Sequence, residues 1–341
     1  MPESDALLTK NDTTPERTLP MTAAGPRTYG FLLLPDFALL TYASAIEPLR
    51  AANALSGRDL YRWRHISADG QPVKASNGVA IAVDERVGEN LALDALLACA
   101  GGNPARFRHK PTFTFLRRLA HRGVMLAGVS GGPYALARAG VLEGHRCTVH
   151  WEHIPAFTEE FPQLDVRRTL YEIDRDRVTC AGGIATLDMM ADLIARDHGP
   201  VLANAVSEWF LRTQARPASN AQRMAPRERF GIGNAKVLGV LGEMETRLEE
   251  PASREDLARS AGISVRQLER LFADHVGESV GAHYLAVRLD RARSLLRQTA
   301  LPVAEVAMAC GFVSTSHFSR AYKARFSQPP STERGARSAS A

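Results

Sequence analysis

Residues 255–272, EDLARSAGISVRQLERLF, and residues 304–322, AEVAMACGFVSTSHFSRAY, are two copies of one pattern near the C-terminal end of the chain. Three positions recur at an offset of 49 residues, as the pairs Leu257/Val306, Ala258/Ala307 and Gly262/Gly311. Three later positions recur at an offset of 50 residues, as the pairs Leu268/Phe318, Arg270/Arg320 and Phe272/Tyr322. A match at a nearly fixed period indicates one structural unit used twice, with one extra residue in the second turn.

Each copy has the composition of a helix, a tight turn and a second helix. The glycine favours the left-handed backbone that ends the first helix. Ser264 and Ser314 stand where an N-cap would open the second helix. In the first copy Leu268, Leu271 and Phe272 recur at i, i+3 and i+4, which predicts one buried face. The sequence therefore predicts two helix-turn-helix units in tandem.

Polar side chains on the opposite face of each second helix predict a contact surface for double-stranded DNA, because such donors reach base edges and phosphates from a helix in the major groove. The candidates are Ser264, Arg266, Gln267 and Arg270 in the first copy and Ser314, Thr315, Ser316, His317, Arg320 and Lys323 in the second. A predicted spacer helix from Ser279 to Gln298 would be about 30 Å long. That length is close to the ~34 Å between successive major-groove faces of B-DNA.

Positive charge is concentrated in the same part of the chain. Residues 251–341 contain 13 Lys/Arg against 8 Asp/Glu, a surplus of five, and the whole chain has a net charge of +5. The preceding 250 residues are therefore neutral overall. A basic surface of this kind attracts a phosphate backbone. The alternative, a solvated basic helical domain, does not account for the repeat.

Length and composition predict two domains. The 341 residues are 45% hydrophobic, which suffices for two independent cores. No run of 18 apolar residues predicts a membrane span, and four scattered cysteines indicate a reducing compartment, so we expect a cytoplasmic protein. We predict a disordered lead-in at 1–27, a first domain at 28–211, a linker at 212–235, a DNA-binding domain at 236–330 and a tail at 331–341.

The first domain alternates short apolar runs with helical segments. Runs at 29–34, 61–67, 93–100 and 124–129 predict buried strands, and segments at 43–55, 112–121 and 134–139 predict helices. This alternation, with glycine-rich strand exits, predicts an α/β domain with a parallel sheet. Ligands of such sheets bind at the carboxyl ends of the strands.

Residues 128–132, GVSGG, lie between a predicted strand and a predicted helix and have the G-x-S-x-G spacing of a nucleophile elbow. Glu47, Ser130 and His150 supply the carboxylate, hydroxyl and imidazole of a hydrolase. His150 follows the serine too soon for the usual order of a hydrolase triad. We favour a binding turn whose backbone amides, including that of Gly131, hold an anion or a carbonyl group.

Segment 119–153 resembles the DJ-1/PfpI family, with its flavodoxin-like, class I glutamine amidotransferase-like fold. The likeness lies in the strand, the sharp turn, the helix exit LARAGVLEG at 136–144 and the stretch TVHW at 148–151. In that family a cysteine occupies the elbow, beside a glutamate from the first helix and a histidine. The resemblance places Glu47, Ser130 and His150 at these positions. A neutral serine is not activated as a low-pKa thiol is, so the resemblance implies vestigial catalytic residues and no enzyme activity.

From Tyr29 to Pro330 the chain resembles the GlxA-like branch of the AraC/XylS regulators, which join such a domain to a double helix-turn-helix. The stretches RQLERLF at 266–272 and SHFSRAY at 316–322 are close to that family's strongest motifs. The chain is most similar to members that respond to glycine betaine, carnitine or related amines. The resemblance implies a homodimeric activator of a catabolic operon, with RNA polymerase as a partner.

An effector with a quaternary ammonium group would bind against aromatic rings. Aromatic side chains on or beside the predicted strand ends are Phe31, Phe37, Tyr42, Trp63 and Trp151. The predicted ligand contacts are Phe31, Glu47, Ser130, Gly131, His150 and Trp151. No cofactor or metal is expected, since His150 and His153 lack a third ligand. Two alternatives stay open: a hydrolase or amidase activity at Ser130 coupled to DNA binding, or a first domain that serves only for dimerisation.

Overall fold

The computed structural model describes residues 25–299 and 301–333. Residues 1–24 of the predicted lead-in and 334–341 of the predicted tail lie outside the described residues. Within the described part, an α/β domain precedes an all-helical domain, which confirms the predicted fold class.

Seven strands form one sheet in the first domain. Four further short strands pair as β3–β4 and β8–β9 in two separate sheets. The eleven strands of the described residues are β1 (Arg27–Leu33), β2 (Tyr61–Ser67), β3 (Val73–Lys74), β4 (Ala80–Ile81), β5 (Glu85–Arg86), β6 (Ala95–Ala100), β7 (Met125–Ser130), β8 (Arg146–Cys147), β9 (Asp165–Val166), β10 (Tyr171–Asp174) and β11 (Arg177–Cys180). The sheet has the order β10–β11–β7–β6–β1–β2–β5 and is parallel except where β10 meets β11. Strands β6 and β7 are buried along their whole length because helices cover both faces of the sheet.

Thirteen helices are found in the described residues. They are α1 (Leu39–Ser56), α2 (Lys110–His121), α3 (Pro133–Arg138), α4 (Ile154–Glu160), α5 (Ala185–His198), α6 (Pro200–Trp209), α7 (Pro226–Phe230), α8 (Ala235–Thr246), α9 (Arg254–Ser260), α10 (Val265–His275), α11 (Val280–Gln298), α12 (Val303–Ala309) and α13 (Thr315–Phe326). A 3-10 turn at Pro104–Arg106 follows β6. Helices α1, α5 and α6 pack on one face of the sheet, and α2, α3 and α4 on the other.

The two helix-turn-helix units have the predicted spacing. Helix α12 begins 49 residues after α9, and α13 begins 50 residues after α10. The turns match as far as Ile263 and Phe312, whose amides donate to Ala258 O (3.0 Å) and Ala307 O (2.9 Å). The extra residue of the second turn is therefore Val313, which is fully exposed.

Helix α11 connects two small hydrophobic cores. Val280 and Tyr284, near its N-terminal end, pack in the core of the first unit with α8, α9 and α10. Leu289 and Leu295, further along, pack in the core of the second unit with α12 and α13. One 19-residue helix thus sets the placement of one unit relative to the other.

The first half of the predicted linker is bound to the α/β domain. Arg212 and Arg216 both pair with Asp188, whose side chain is 1% exposed. Gln222 donates from Nε2 to the Thr148 hydroxyl at 3.0 Å and to the Thr169 carbonyl at 2.7 Å. The linker is thus held against the α/β domain as far as Gln222.

Candidate DNA interface and effector site

The predicted DNA contacts lie on the outer face of α10 and α13. All ten are exposed: Ser264, Arg266, Gln267, Arg270, Ser314, Thr315, Ser316, His317, Arg320 and Lys323. The hydroxyl groups of Ser264 and Ser314 accept hydrogen bonds from the Gln267 amide (3.2 Å) and the His317 amide (3.3 Å). Both serines therefore have the N-capping role predicted for them, which occupies their hydroxyl groups.

The cations on this face have no acidic partner. Within residues 25–299 and 301–333, no ion pair involves Arg266, Arg270, Arg320 or Lys323. By contrast, Arg259 on α9 pairs with an aspartate at 2.6 Å. Unpaired guanidinium and ammonium groups on the exposed face of a helix can reach base edges and phosphates without first breaking a salt bridge.

The sharp turn after β7 has the geometry of an elbow, but its amides are engaged. Ser130 has φ +58°, a left-handed conformation that is strained for a residue with a side chain. The Gly131 amide donates to Ala100 O at 3.2 Å and the Gly132 amide to Val129 O at 2.9 Å. The expectation that the Gly131 amide holds an anion is thus not met, because β6 already uses that donor.

Gly182 lies against Ser130 and Thr41, and neither Gly182 nor Thr41 was predicted from the sequence. A Cβ atom on Gly182 would lie 2.7 Å from Ser130 Cβ, so glycine is needed for this close approach. The Thr41 hydroxyl oxygen accepts a hydrogen bond from the Gly183 amide at 2.8 Å. The Gly182–Gly183 pair after an apolar run was the available signal, since glycines at strand exits mark the ligand-binding edge of a parallel sheet.

Glu47 does not lie at the elbow, contrary to its predicted place. Helix α1 begins at Leu39, four residues before the predicted start at 43, so Glu47 falls in its third turn. The Glu47 side chain is 43% exposed and pairs with Arg50 at 2.7 Å. In the described residues no hydrogen bond joins the Ser130 hydroxyl to Glu47 or His150. A connected catalytic triad is absent from this arrangement.

Two histidines follow the elbow on the loop before α4. The His150 amide donates to Ser130 O at 3.3 Å, which fixes this loop against the turn. Burial, and secondarily the neighbouring His153, lowers the pKa of His150. Its Nδ1 accepts from the Glu152 amide at 3.4 Å, so the neutral ring carries its proton on Nε2. His150 is therefore a neutral hydrogen-bond donor beside Ser130.

Three of the five candidate aromatic residues, Phe31, Phe37 and Tyr42, pack together in the core of the α/β domain and not around an open site. Phe31 is fully buried in the core, with its ring 5.7 Å from Tyr42 and 6.2 Å from His65, so the predicted contact between Phe31 and a ligand is not supported. Trp151 is 42% exposed, and its ring lies 4.7 Å from the guanidinium carbon of Arg223. Trp151 alone combines exposure with a place next to His150.

Two cavities lie away from the elbow. One, of about 220 Å³, is lined by Pro35, Asp69 and Lys74 at the ends of β1 and β2. The other, an open groove of about 590 Å³, runs along the sheet edge beside Trp63. Ser130, His150 and Trp151 line neither cavity. The elbow joins a strained residue, a half-buried imidazole and an accessible indole, which makes it the stronger candidate for the effector site.

Across the described ranges no helix has the length and apolar character needed to cross a bilayer, and no three His, Cys, Asp or Glu side chains are grouped as metal ligands. The four cysteines are buried free thiols. Burial raises the pKa of Cys99 and Cys310 to about 12, which makes these thiols unreactive.

Comparison with known proteins covers both domains. Residues 37–196 match the DJ-1/PfpI family, and residues 257–336 match a helix-turn-helix domain family. The HTH-type transcriptional regulator CdhR of Pseudomonas aeruginosa is 47% identical over 306 residues, which are 90% of this chain and 91% of that protein.

Two further relatives are also HTH-type transcriptional regulators. The HTH-type transcriptional regulator GbdR of Pseudomonas aeruginosa is 44% identical over 91% of this chain and 84% of its own length. The HTH-type transcriptional regulator GlxA of Rhizobium meliloti is 42% identical over 89% of this chain and 94% of its own length. The chain belongs to the GlxA-like branch of the AraC family of HTH-type transcriptional regulators, in which a DJ-1/PfpI-like domain precedes a double helix-turn-helix.

Proposed function

We propose that this regulator reads its operator through α10 and α13 together and activates a catabolic operon in response to a small amine. The observation that carries the DNA part is the set of unpaired cations on the exposed face of both helices. Arg266, Gln267 and Arg270 would contact bases from the first unit. Thr315, Ser316, His317 and Arg320 would do so from the second, with Lys323 on a phosphate.

Replacing Arg266 tests this assignment. If Arg266 makes a bidentate contact to guanine, Arg266→Ala weakens binding by ~1–3 kcal/mol and relaxes specificity at one base pair. Fluorescence anisotropy on an operator and its single-base variants measures both effects. Arg259→Ala is the matched control, because that arginine is exposed on α9 and paired with Asp256. Equal weakening on every sequence would assign Arg266 to a phosphate, and an unchanged affinity would remove it from the interface.

For the effector we propose a quaternary ammonium compound with a carboxylate, bound beside the elbow. The Arg223 guanidinium over the Trp151 ring supports this, since it demonstrates that the ring face accepts a cation. The Nε2–H group of His150 and the Ser130 hydroxyl are the donors available for a carboxylate. Of the ligand contacts predicted from the sequence, the proposed site excludes Glu47, Gly131 and Phe31.

Calorimetry with glycine betaine as the probe tests the effector site. Trp151→Ala removes the cation-binding ring, so we expect a loss of ~0.5–2 kcal/mol of binding free energy. Trp209→Ala is the control, because Trp209 is also about half exposed but lies on α6. An unchanged affinity in Trp151→Ala would contradict the proposed site. Turnover of an amide or ester that disappears in Ser130→Ala would instead favour the hydrolase alternative.

We also propose, on the strength of the family alone, that the regulator is a cytoplasmic homodimer that contacts RNA polymerase. Sedimentation analysis of the full chain tests the dimer directly. A monomer at micromolar concentration, with or without operator DNA, would contradict it.

A further inference from the structure

In the described residues, the direct hydrogen bonds between the α/β domain and the helical domain all lie at one end of the spacer helix. In the described residues three hydrogen bonds join residues 25–211 to residues 235–333, and all three reach the last turns of α11. They connect Asn103 Nδ2 with the Arg297 carbonyl, His153 Nδ1 with Gln298 Oε1 at 2.9 Å, and the Ser294 hydroxyl with the Glu152 carbonyl at 3.4 Å.

The same end of α11 belongs to the second helix-turn-helix unit. Ala156 of α4 is part of the hydrophobic core formed by α11, α12 and α13, so the α/β domain completes that core. The core of the first unit contains no residue from the α/β domain. Within the described chain, no hydrogen bond or ion pair joins residues 235–284 to residues 25–211. Residues 25–211 therefore contact the second unit directly, whereas the first unit is reached through the linker, where Arg223 lies over Trp151 and pairs with Glu245 of α8.

This contact lies next to the elbow. His153 is one helical turn after His150, whose amide is bonded to Ser130 O. Asn103 precedes Pro104, and a Cβ atom on Gly131 would be 2.8 Å from the Pro104 ring. Tyr134, four residues after Ser130, packs edge-to-face on His153 with ring centroids 6.1 Å apart. A shift of the turn or of the His150 loop would thus be passed directly to residues that hold α11.

The polar groups at this contact are incompletely satisfied. Asn103 Oδ1, Tyr134 Oη and Arg291 Nη1 are buried atoms without a hydrogen-bond partner in the described residues. Each buried polar atom left unpaired loses its hydration without gaining a hydrogen bond in return, which destabilises the contact. An interface that leaves three such atoms unpaired is less stable than a permanent one, which suits a contact that has to open.

We propose that the α/β domain directly anchors the second helix-turn-helix unit, through a latch of Asn103, Glu152, His153 and Ala156 on the C-terminal end of α11. An effector at the elbow then changes the placement or the freedom of the second unit relative to the first. The anchoring stands by itself, whereas its control by an effector rests on the function proposed above.

Amide hydrogen exchange of the unliganded, full-length chain tests the anchoring. His153→Phe keeps a ring against Tyr134 and removes the bond to Gln298, so exchange in α12 and α13 should rise ~fivefold while α9 and α10 stay unchanged. His109→Ala is the matched control, because that histidine bonds Thr112 inside the same domain at 2.9 Å. Gln298→Ala breaks the same bond from the other side and should give the same pattern, without adding to it in the double variant.

Two results would overturn the anchoring: no change in α12 and α13 for either variant, or an equal rise in α9 and α10. Addition of glycine betaine to the wild-type chain then tests whether an effector at the elbow alters this contact. A change in exchange rate restricted to α11–α13 supports control by the effector, and a change restricted to α9 and α10 refutes it. If glycine betaine has no effect on exchange anywhere, the proposed effector is wrong, while the variants continue to decide the anchoring.

Discussion

The paired glycines of the two turns allow a stringent test of how the helical domain is assembled. Gly262 and Gly311 occupy equivalent positions and both have left-handed backbone, with φ +63° and +72°. Their surroundings differ. A Cβ atom on Gly262 meets nothing within 4 Å, whereas one on Gly311 would lie 2.6 Å from the Leu248 carbonyl oxygen and 2.5 Å from the Pro251 ring. The second turn therefore packs against the segment after α8, and the first turn faces open space.

The expected cost of each Gly→Ala change follows from these distances. The left-handed conformation alone costs an alanine ~1–2 kcal/mol, which both variants share. Overlap with a backbone carbonyl adds ~1–3 kcal/mol at Gly311, because the backbone cannot rotate away as a flexible side chain does. We thus expect about 1 kcal/mol of destabilisation for Gly262→Ala and about 3 kcal/mol for Gly311→Ala.

Native-state hydrogen exchange measures the opening free energy of each unit separately, which matters because a chain of two domains does not unfold in one step. Gly311→Ala should lower the opening free energy of α12 and α13 more than Gly262→Ala lowers that of α9 and α10. It should also weaken operator binding more, since the contact with Leu248 and Pro251 joins the two units. Equal costs in both variants would refute the close approach on which this reasoning depends.

Two further predictions concern Glu333 and Arg223. Although burial opposes ionisation, hydrogen bonds from Tyr322 and two arginines of α11 lower the pKa of Glu333 from 4.5 to about 2. Since the pKa is lowered in the folded state, this stabilisation is present above about pH 4.5 and is lost as the pH falls towards 2. Glu333→Gln should lower the free energy of unfolding of the second unit by about 3 kcal/mol at pH 7 and make its stability less dependent on pH. Hydrogen exchange or calorimetry between pH 2 and 7 would detect both effects. A pH dependence unchanged from that of the wild-type chain would contradict the prediction. Arg223→Ala should free the Trp151 ring and tighten glycine betaine binding about two- to fivefold by calorimetry, whereas weaker binding would mean that Arg223 belongs to the site.

The helical domain was highly predictable from its sequence. Local signals suffice there: a glycine ends each first helix, a serine caps each second one, and apolar residues at helical spacing mark the buried faces. The offsets of 49 and 50 residues in the sequence reappear in the helix starts. The strand at 124–129 was likewise predictable, because buried parallel strands are continuous apolar runs.

The elbow was only partly predictable. Its backbone conformation followed from GVSGG between a strand and a helix, and Ser130 does have positive φ. The surrounding side chains did not follow, because they come from elements distant in sequence. The error for Glu47 arose at the start of α1: a helix that begins four residues earlier places Thr41, rather than Glu47, beside the turn. Element boundaries are the least reliable part of a sequence-based prediction.

By itself, the sequence determined that this protein carries two unequal helix-turn-helix units behind an α/β domain, since periodicity, capping and glycine turns are properties of short segments. Only the tertiary structure decided which amides of the elbow are occupied, which aromatic rings are accessible and which unit the α/β domain holds. These depend on contacts such as His153 with Gln298, 145 residues apart. No local pattern encodes a contact of that range, because it exists only after both domains have folded and packed.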